Sequence, residues 1–459
     1  MPAKKEKPVV CAILAAGQGT RMKSGTPKVL HKLCGKPMID HIVQTAKKLE
    51  PARIYLIVGF REELVRQFFG DSVYYITQSQ QLGTGHAVLQ ARDELFGYKG
   101  DVVVLYGDVP LVTEGTLRSL VARHRETGAS ATLVTTRVKN STGFGRVIRN
   151  RSGRIAKIVE EKDASPAQKR IKEINPGIYC FEAPSLMGAL TEIGPANKQQ
   201  EYYLTDVVEV LVKKGKKVET ITTSDEVEIL QVNTRKHLAQ VNRIMHERVL
   251  EKLMDEGVTI IDPRTTFVSE TVKVEKDVTI YPFTYIEGYT HIGAGTIVGP
   301  QTYITDSVIG NNVVIVMSYI SSSIIRDNSR VGPYSHLRPE AIIGESVHIG
   351  NFVEVKKSVI EENSKVNHLS YIGDAKIGKN VNVGAGTITA NYDGVRKNET
   401  VIEDGASIGS GTVLIAPVRI GKKAVTGAGT VVPKCHDIPP NAVFAGVPAR
   451  ELKPNERNV

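Results

Sequence analysis

The feature that most constrains the fold of this chain is a six-residue repeat in its C-terminal half. From about residue 257 onward, an aliphatic residue repeatedly precedes a glycine, and many of the intervals are six or twelve residues. The pairs are Ile292-Gly293, Val298-Gly299, Ile309-Gly310, Val331-Gly332, Ile343-Gly344, Ile349-Gly350, Ile372-Gly373, Ile377-Gly378, Val383-Gly384, Ile408-Gly409 and Ile420-Gly421. A period of six with one inward aliphatic residue per short strand is the signature of a hexapeptide β-helix, whereas a β-sandwich would alternate with a period of two. Residues 257–459 are therefore predicted to form a β-helix.

The longest interruption of this repeat lies between Gly384 and Gly409. It contains Asn391-Tyr392-Asp393-Gly394, a polar excursion that has no role in packing. Loops that leave a rigid scaffold often carry function. We therefore expect a functional site near this loop.

The N-terminal part, from residue 9 to about residue 232, alternates short apolar runs with amphipathic stretches. The predicted strands are residues 9–16, 54–58, 73–77 and 102–106, and the predicted helices are residues 38–49, 62–69 and 84–96. This alternation predicts a Rossmann-like α/β domain over residues 1–233, with a mostly parallel sheet covered on both faces. Ligands of such sheets bind beyond the carboxyl ends of the strands, so candidate residues are expected directly after each strand.

A linker helix is predicted between the two domains. Residues 234–256 contain neither Gly nor Pro. Leu238, Val241, Met245 and Leu253 recur at a spacing that places them on one helical face. The predicted organisation is thus an α/β domain, a connecting helix and a β-helix domain.

Composition narrows the classes of partner. Lys and Arg number 59 against 49 Asp and Glu, a formal net charge of +10. Such an excess is compatible with nucleic acid, an anionic membrane surface or small polyanionic substrates, and equally with a soluble surface that is merely basic. No Lys/Arg block is interleaved with aromatic residues, so no nucleic-acid partner is expected. The four cysteines form no Cys-x-x-Cys pair, which argues against zinc and disulfides and favours a reducing cytoplasm. No apolar stretch is long enough to span a bilayer, so no membrane insertion is expected.

The first candidate site follows the first predicted strand. The chain there reads Leu14-Ala15-Ala16-Gly17-Gln18-Gly19-Thr20-Arg21-Met22, with Pro27-Lys28 shortly after. The two glycines let backbone N–H groups approach a phosphate, and Arg21 and Lys28 supply positive charge. This is not a Walker A loop, because no Gly-Lys-Ser/Thr follows. It is not the dinucleotide fingerprint either, because Met22 stands in place of the third glycine.

Two further strand ends carry candidate residues. Gln78 and the string Gln81-Leu82-Gly83-Thr84-Gly85-His86 follow the third strand, where glycines would let a base ring lie flat against the backbone. Tyr106-Gly107-Asp108 ends the fourth strand, and a carboxylate there can hold Mg²⁺ that bridges phosphates. An isolated Gly-Asp is as often a turn that caps a helix. The three strand ends together favour a nucleotide site.

These strings resemble the sugar-1-phosphate nucleotidylyltransferase family, and more narrowly the N-acetylglucosamine-1-phosphate uridyltransferase half of the bacterial bifunctional enzymes. The match continues through Gly143-Phe144-Gly145-Arg146, Val159-Glu160-Glu161-Lys162-Asp163-Ala164, Glu173-Ile174-Asn175, Glu201-Tyr202-Tyr203-Leu204-Thr205-Asp206 and Val232-Asn233. The resemblance implies that Asp108 and Asn233 hold Mg²⁺ and that Lys28 and Arg21 are catalytic. It implies a UTP and UDP-N-acetylglucosamine site formed by Leu14, Ala15, Ala16, Gly17, Lys28, Gln78, Gly83, Thr84, Tyr106, Gly107, Asp108, Gly145, Glu160, Asn175, Tyr203 and Asn233.

Within that set, the resemblance places Gly145, Glu160, Asn175 and Tyr203 against the amino sugar. One position departs from the family, because Pro176 stands where Thr is usual. The chemistry needs no base, since the sugar phosphate is already an anionic nucleophile. Positioning and neutralisation of charge are expected to carry the catalysis.

The second candidate site lies in the β-helix. Acetyl transfer to an amine requires removal of an ammonium proton, for which a neutral His is suited near pH 7. Among eleven histidines, His368 is distinguished by its context, Asn367-His368-Leu369-Ser370-Tyr371, near Asn391-Tyr392-Asp393-Gly394. Arg338 and Lys356 lie on the same solenoid at positions that could gather a phosphate monoester. A β-helix surface that merely exposes polar residues would not require this combination of His368, Arg338, Lys356 and the 391–394 loop.

These strings resemble the hexapeptide acetyltransferase half of the same bifunctional family. The resemblance implies a left-handed parallel β-helix, a homotrimer, and acetyl-CoA bound between neighbouring subunits. It implies His368 as the base, oriented or polarised by Glu354, with Lys397 in the long loop. The implied sugar-phosphate contacts are Arg338, Lys356, Tyr371 and Asn382, and the implied acetyl-CoA contacts are Ala385, Asn391, Tyr392, Ser410, Ala428 and Arg450. Glu340 departs from the family, which commonly has Gly there.

The predicted function is a cytoplasmic bifunctional enzyme with acetyl-CoA and UTP as substrates and Mg²⁺ as cofactor. It would acetylate glucosamine-1-phosphate and then form UDP-N-acetylglucosamine, a precursor of peptidoglycan, the cell wall and lipopolysaccharide. Two alternatives remain open. One is a single-activity nucleotidylyltransferase with a structural or regulatory β-helix, against which His368 and the 391–394 loop argue. The other is a non-catalytic assembly subunit, against which Lys28, Asp108 and Asn233 argue.

Overall fold

The computed structural model of the chain describes residues 7–453, so the outermost parts of the first and last predicted domains, residues 1–6 and 454–459, lie outside the described residues. The chain divides into two compact units between Met245 and His246. No helix within residues 7–453 combines the length and the hydrophobicity needed to cross a bilayer. The predicted boundaries at residues 233 and 257 stay predictions.

The N-terminal unit combines one large sheet with helices. Its strands are β1 (Val9–Leu14), β2 (Lys32–Leu33), β3 (Lys36–Pro37), β4 (Arg53–Val58), β5 (Tyr74–Thr77), β6 (Asp101–Tyr106), β7 (Ala131–Arg137), β8 (Gly145–Arg149), β9 (Ile155–Val159), β10 (Glu173–Asn175), β11 (Tyr179–Glu182) and β12 (Val218–Thr222). Its helices are α1 (Met38–Lys47), α2 (Glu62–Phe69), α3 (Thr84–Leu89), α4 (Arg92–Leu95), α5 (Glu114–Thr127), α6 (Pro166–Lys169), α7 (Ala183–Leu190) and α8 (Asp206–Lys213). Short 3₁₀ turns lie at Thr20–Met22, Lys28–Leu30 and Gly70–Ser72.

The large sheet has the order β5-β4-β1-β6-β11-β7-β10-β8-β9, and β12 pairs with β7. The prediction of a parallel sheet is confirmed for β5, β4, β1 and β6. It is wrong for most of the other half, because β11 runs antiparallel to both β6 and β7, and β10 runs antiparallel to β7 and β8, whereas β12 pairs parallel with β7. The mixed sheet still brings the carboxyl ends of β1, β5 and β6 to one edge.

Strand β1 shows why these apolar runs form central strands. Val10 and Ala12 belong to one hydrophobic cluster, whereas Cys11 and Ile13 belong to another. Because successive side chains of a strand point to opposite faces, both faces of the sheet are covered. The predicted helix over residues 84–96 is interrupted between α3 and α4, so it is two short helices instead of one.

A long helix, α9 (Arg235–Asp255), lies within the range predicted for the linker. Val241 in its first half is buried in a cluster with Leu33, Met38 and Val232. Leu250 in its second half is buried in the core of the C-terminal unit. One helix thus contributes apolar side chains to two separate cores.

The C-terminal unit is built from three parallel sheets, named here sheets I, II and III. Sheet I contains β13 (Thr259–Ile260), β16 (Thr279–Ile280), β19 (Ile297–Val298), β22 (Val314–Ile315), β25 (Arg330–Val331), β28 (His348–Asn351), β31 (Lys365–His368), β34 (Asn382–Val383), β37 (Ser407–Ile408), β40 (Val425–Thr426), β42 (Val443–Ala445) and the antiparallel β43 (Arg450–Glu451). Sheet II contains β14 (Phe267–Val268), β17 (Tyr285–Glu287), β20 (Tyr303–Thr305), β23 (Tyr319–Ser321), β26 (His336–Leu337), β29 (Glu354–Lys356), β32 (Tyr371–Gly373), β35 (Ile388–Ala390), β38 (Val413–Ile415) and β41 (Val431–Val432). Sheet III contains β15 (Lys273–Val274), β18 (His291–Ile292), β21 (Val308–Ile309), β24 (Ile324–Ile325), β27 (Ile342–Ile343), β30 (Val359–Ile360), β33 (Ala375–Ile377), β36 (Thr400–Ile402) and β39 (Val418–Ile420).

The six-residue repeat is explained by this architecture. The chain visits sheets I, II and III in turn, so three repeats complete one coil, and the aliphatic residue of each repeat points inward. Ile292, Ile309, Ile325 and Ile343, from successive coils, are almost completely buried in one continuous core. The prediction of a hexapeptide β-helix is confirmed, and the three parallel sheets are consistent with the left-handed form.

The corners between the sheets differ in composition. Many corner residues have positive φ, a conformation that Asn, Asp and Gly tolerate best. Between sheets III and I these are mostly polar, for example Asn312, Asn328 and Asn363. Between sheets I and II, which we call the I–II corner, five of them are bulky and apolar: Phe283, Met317, Tyr334, Phe352 and Leu369, with φ between 44° and 60°. This corner therefore has an unfavourable backbone conformation for its side chains.

Candidate active sites

A cavity of about 770 Å³ opens beyond the carboxyl ends of β1, β5 and β6. Eleven of the sixteen residues predicted to bind nucleotide line it: Leu14, Ala15, Ala16, Gly17, Lys28, Gln78, Gly83, Thr84, Tyr106, Asp108 and Asn233. Arg21 lines it as well. Residues separated by more than 200 positions along the chain thus come together at the sheet edge where ligands of α/β folds bind.

The polar centre of this cavity is Lys28. Its Nζ lies 2.6 Å from Asp108 Oδ2 and 3.1 Å from Asn233 Oδ1. Arg21 Nη2 donates a hydrogen bond of 3.0 Å to the same Asn233 oxygen. Asp108 and Asn233 therefore each direct an oxygen at the Lys28 ammonium, and Arg21 donates to the same Asn233 oxygen.

The Gly-rich loop is shaped by close approach to Lys28. Gly19 has φ +64°, and a Cβ placed on it would lie 2.6 Å from the Cβ of Lys28. A similar constraint acts at Gly83, which has φ +109° and whose added Cβ would lie 2.6 Å from the carbonyl oxygen of Tyr202. Gln78 is buried and donates to the Gly83 carbonyl at 3.1 Å. Both glycines are needed for the walls of the cavity to reach their positions.

The remaining five predicted residues are not in the cavity wall. Gly107 lies under the loop, where an added Cβ would meet the Leu14 carbonyl oxygen at 2.9 Å. The others are Gly145, Glu160, Asn175 and Tyr203. Glu160 accepts a 3.1 Å hydrogen bond from Thr205 Oγ1, and an added Cβ on Gly145 would lie 3.5 Å from both Glu160 carboxylate oxygens. Glu160 and Gly145 are therefore direct neighbours.

Asn175 and Tyr203 are both buried. Asn175 Nδ2 donates to the Tyr179 hydroxyl at 2.6 Å, and its Oδ1 accepts from the Gly177 N–H at 3.3 Å. Gly177 in turn packs on the Tyr106 ring, where an added Cβ would lie 2.6 Å from the ring. Asn175 is held by these two bonds although Pro176 follows it.

Burial raises the pKa values of three side chains in this region. Desolvation raises the pKa of Glu160, and Thr205 opposes the rise by donating a hydrogen bond. Desolvation also raises the pKa of Tyr203 and of Tyr106, with nearby carboxylates adding to both shifts. Both tyrosines are neutral hydroxyls near pH 7, available as hydrogen-bond donors.

Several residues that line the cavity were not predicted. They are Asn140, Thr142, Phe144, Gln231, His237 and Gln240, among others. His237 and Gln240 extend from the first turns of α9, and the Asn233 N–H donates to His237 Nδ1 at 3.4 Å. The four-residue spacing between Asn233 and His237 is the sequence signal from which His237 could have been predicted.

In the C-terminal unit, His368 ends strand β31 and is exposed. Its Nδ1 lies 2.8 Å from Asn351 Oδ1, and the two residues are paired in register across β28 and β31. Sequence reasoning assigned the orienting role to Glu354 instead. Glu354 forms an ion pair of 2.8 Å with Arg338 Nη1, so the described contact of His368 is with Asn351.

Three cations cluster on and next to sheet II: Lys356 in β29, Arg338 directly after β26, and Lys397 in the loop after β35. The Lys397 ammonium, which is adjacent to Lys356, lowers the pKa of Lys356, and Arg338 adds to the effect while Asp374 opposes it. Asp374 accepts a 2.5 Å hydrogen bond from Asn391 Nδ2, and the same Nδ2 lies 3.5 Å from the Tyr371 hydroxyl. Lys356, Lys397 and Arg338 therefore form a positive surface suited to a phosphate.

Asn382 is also predicted to contact the sugar phosphate, but it lies on sheet I, in register with Lys365. Arg338, Lys356 and Tyr371 are associated with sheet II. His368 and this cluster thus stand on two sheets that meet at Leu369. Glu340 lies at the corner between sheets II and III with φ 65°, which explains why Gly would be favoured there.

The predicted acetyl-CoA residues Ala385, Ser410 and Ala428 stack on successive coils of the I–II corner. Each lies between two glycines in the sequence, and backbone bonds of 2.7 Å join Gly411 N to the Ala385 carbonyl and Gly429 N to the Ser410 carbonyl. The corner therefore changes from bulky residues to small ones directly after Leu369. This leaves room on the surface next to His368.

The other predicted acetyl-CoA contacts are less closely grouped. Asn391 is buried, Tyr392 is exposed and donates to the Gly394 carbonyl at 2.7 Å, and Arg450 begins β43. The loop that carries Tyr392 is held by Asp393, which accepts bonds from the N–H groups of Val395 and Arg396. The Arg396 N–H, the Asn398 side-chain amide and the Val395 N–H lower the pKa of Asp393 by donating to its carboxylate.

The described residues, from 7 to 453, contain no group of three or more His, Cys, Asp or Glu side chains suited to a metal ion. The Asp108–Asn233 pair supplies one carboxylate and one amide oxygen. Such a pair suits a metal that retains several waters and binds substrate phosphates, which is the usual behaviour of Mg²⁺.

The fold and the cavity define the class of this protein as a nucleotidyl transferase with an attached β-helix. The family model described as "Nucleotidyl transferase" matches residues 10–243, and the one described as "GMPPB C-terminal domain" matches residues 265–349. The bifunctional protein GlmU of Carboxydothermus hydrogenoformans is 50% identical over 431 residues, which cover 94% of this chain and 96% of that protein. The corresponding protein of Heliobacterium modesticaldum is 48% identical, with 96% of each chain covered. The chain belongs to the family of the bifunctional protein GlmU.

Proposed function

We propose that the chain catalyses two successive reactions. Its C-terminal unit transfers acetyl from acetyl-CoA to glucosamine-1-phosphate, and its N-terminal unit transfers uridylyl from UTP to N-acetylglucosamine-1-phosphate, releasing pyrophosphate and UDP-N-acetylglucosamine. The observation that carries this proposal is the coexistence of two assembled sites in one chain. Lys28, Asp108 and Asn233 converge in one unit, and His368 with Asn351 lies beside a cationic cluster in the other.

In uridylyl transfer, a phosphate oxygen of the sugar attacks the α-phosphorus of UTP while the bond to pyrophosphate breaks. Arg21 and Lys28 hold the phosphates and stabilise the negative charge that develops on them. The Gly17 and Gly19 loop lets backbone N–H groups approach the same phosphates. No residue needs to remove a proton, because the nucleophile is already an anion. Alignment of the two substrates therefore provides most of the rate.

The residues present fit a magnesium ion. Asp108 and Asn233 direct oxygen atoms at the same cation, the ammonium of Lys28, and hard oxygen ligands are those that Mg²⁺ prefers. Bound there, Mg²⁺ would neutralise charge on the phosphates. Lys28 would then donate to a phosphate oxygen instead of to Asp108.

In acetyl transfer, Asn351 Oδ1 accepts a hydrogen bond from His368 Nδ1–H, which in the neutral imidazole leaves Nε2 without a proton and able to act as a base. Nε2 takes a proton from the glucosamine ammonium, and the neutral amine attacks the thioester carbonyl. The carbon–sulfur bond then breaks, and the second proton lost by the amine nitrogen passes to the CoA sulfur, so that CoA leaves as its thiol. Arg338, Lys356 and Lys397 hold the sugar phosphate.

We infer that the active form is a homotrimer in which neighbouring copies share the acetyl-CoA site. Two features support this. His368 and the cations next to sheet II stand on two sheets that meet at the I–II corner, so a neighbouring copy seated at this corner would lie against both. Tyr334, Phe352 and Leu369, at the I–II corner, are each more than half exposed, and a second copy would cover them.

The proposed product is a precursor of peptidoglycan and lipopolysaccharide, and therefore of the cell wall that gives the cell its shape. Because UTP and acetyl-CoA are cytoplasmic metabolites, we place the enzyme in the cytoplasm. A single-activity nucleotidylyltransferase would not need Asn351 to orient His368. A non-catalytic assembly subunit would not need Lys28, Asp108 and Asn233 to converge.

The test is a paired assay on one preparation. Pyrophosphate release is measured with UTP and N-acetylglucosamine-1-phosphate, and free thiol release with acetyl-CoA and glucosamine-1-phosphate. Both are expected. Failure of either, in a folded preparation supplied with Mg²⁺, would remove that half of the proposal and leave the other.

A further inference from the structure

Arg146 is one of the largest fully buried side chains among the described residues, with 1% of its surface exposed. It is the second residue of β8, which pairs with β9 on one side and β10 on the other. Burying a cation without a partner costs free energy, so the residues that pair with Arg146 indicate its role. Its Nη2 forms an ion pair of 2.6 Å with Glu161. Its Nη1 donates to the carbonyl oxygen of Phe144.

These partners belong to two segments that carry predicted sugar contacts. Phe144 immediately precedes Gly145, and Glu161 immediately follows Glu160. Phe144 also lines the nucleotide cavity. A weaker contact of 3.5 Å joins Arg146 Nη2 to the Lys169 carbonyl at the end of α6. One guanidinium thus joins the turn before β8 to the segment after β9.

The position of the Glu160 carboxylate depends on how these two segments lie against each other. Arg146 pairs in register with Val159, and the Glu160 carboxylate lies against the backbone of Gly145. Only Thr205 donates a side-chain hydrogen bond to Glu160 among the described residues 7–453. A shift of either segment would move the carboxylate away from Gly145. Buried ion pairs contribute little net stability, and their best-attested role is to fix register.

We propose that Arg146 and Glu161 form a positioning pair that sets the affinity of the N-terminal unit for the amino sugar, a proposal that rests on the proposed uridylyltransferase function. The pair does not contact substrate. It holds Gly145 and Glu160 at a fixed separation, so that Glu160 meets the sugar without reorganisation. Residues that hold the UTP phosphates, such as Lys28 and Arg21, are attached to other strands. The effect of the pair is therefore confined to the sugar end.

The test uses Arg146→Lys, which keeps the charge but loses the fork, and Glu161→Gln, which keeps the shape but loses the charge. Each is expected to raise KM for N-acetylglucosamine-1-phosphate by about tenfold, as expected for one misplaced hydrogen bond to a charged group. KM for UTP should stay within about twofold of wild type. Acetyl transfer, measured in the same full-length preparation, should be unchanged.

The matched control is Arg149→Lys, three residues along the same strand. Arg149 pairs with Glu173 at 2.5 Å, in the same sheet but without a contact to Phe144 or Glu161. It should leave both KM values unchanged. If Arg146→Lys and Glu161→Gln lower only the melting temperature, or raise both KM values equally, the pair is structural and the proposal is overturned.

A second measurement covers variants that fold poorly. The folded fraction is titrated with UDP-N-acetylglucosamine and with UDP, and the ratio of the two Kd values reports the sugar contribution alone. The Kd for UDP-N-acetylglucosamine divided by the Kd for UDP should rise about tenfold in the variants, in step with the rise in KM. An unchanged ratio would overturn the proposal. If the wild-type protein shows no uridylyl transfer, the proposed function fails instead, which is a separate outcome.

Discussion

At the scale of single residues, Asp108 is the group on which the N-terminal site depends. It is one of two oxygen ligands that converge on Lys28, and its side chain is only 13% exposed. Asp108→Ala should therefore abolish pyrophosphate release, because no other carboxylate at the end of β6 can hold Mg²⁺. Acetyl transfer in the same preparation is the control and should be retained. Normal uridylyl transfer by this variant would remove Asp108 from the mechanism.

His368 is the corresponding residue of the C-terminal site. His368→Ala should lower kcat of acetylation by about 10²–10⁴-fold, the usual cost of losing a general base. Raising the pH should partly restore the rate, because more of the substrate amine is then neutral. Uridylyl transfer and the melting temperature should be unchanged. A stable variant that keeps more than about a tenth of the wild-type kcat would end the assignment.

Single residues also show what could and could not be predicted from sequence. Lys28 and Asp108 follow apolar strands, so their position was predictable from the strand ends. Asn351 was not assigned, because its contact with His368 depends on the length of one coil, which the local string does not reveal. Arg146 resembles an exposed strand residue in the sequence. Its burial depends on Glu161, which reaches it only after β8 and β9 have paired.

At the scale of elements, the I–II corner combines an unfavourable backbone with exposed apolar side chains. Phe352 has φ 58° and is 55% exposed. Asn adopts this conformation more readily, so Phe352→Asn should leave the single copy as stable or more stable, by up to about 1 kcal/mol. It should weaken trimer formation, because apolar contact area is lost.

The matched control for this corner variant is Ser346→Asn, in the same coil at the corner between sheets III and I, with φ 57°. Light scattering across a dilution series measures assembly, and thermal unfolding measures stability. Ser346→Asn should leave assembly unchanged. If Phe352→Asn assembles as tightly as wild type, this corner does not contribute to the trimer.

Helix α8 begins with Asp206, whose pKa is raised to about 6, mainly by burial and then by Glu209 and Asp163. The N-terminus of a helix favours a negative charge, so desolvation outweighs that effect here. The folded state holds this proton to higher pH than the unfolded state, whose pKa is about 3.8. By linkage, the contribution of Asp206 to stability is therefore fully present below pH 4 and is lost as pH rises through about 6.

Asp206→Asn removes this titration, since Asn stays neutral at every pH. The melting temperature of the variant relative to wild type should rise between pH 4 and 6 and then level off. Calorimetry of both proteins over this range, in one buffer series, measures the difference. A difference that does not depend on pH would show that Asp206 titrates as an ordinary surface carboxylate.

The strands show which elements are accessible to sequence reasoning. β1, β4, β5 and β6 were predicted because they are short, mainly apolar runs. The antiparallel half of the sheet was not predicted, since β8 and β10 contain charged residues that do not read as buried strands. Arg146 is buried only through its pairing with Glu161, and Arg149 pairs with Glu173. The β-helix was predictable throughout, because each repeat carries its own inward aliphatic residue. Each repeat can therefore be recognised in the sequence without knowing which distant segment it pairs with.

At the scale of the whole molecule, α9 decides where the two units can be separated. Its first half contributes Val241 to a cluster with Leu33 and Val232, and its second half contributes Leu250 and Leu253 to the core of the β-helix. A solenoid needs a cap on its terminal coil, because the last repeat otherwise exposes the continuous core. Residues 246–256 are therefore expected to serve as this cap.

Two truncated chains test this expectation. A chain that begins at residue 246 keeps Leu250 and Leu253, and it should fold, assemble and retain acetyl transfer close to the wild-type rate. A chain that begins at residue 257 leaves Val258 and Ile260 without that cover, and it should melt at a lower temperature, since each buried Leu side chain contributes about 1.5–3 kcal/mol relative to its exposed state. Uridylyl transfer should be absent from both, because Lys28 and Asp108 are removed. Melting temperature, light scattering and thiol release are measured on each. If the two chains are equally stable, α9 does not cap the solenoid, and if the longer chain is a monomer with full acetyl transfer, the site is not shared between copies.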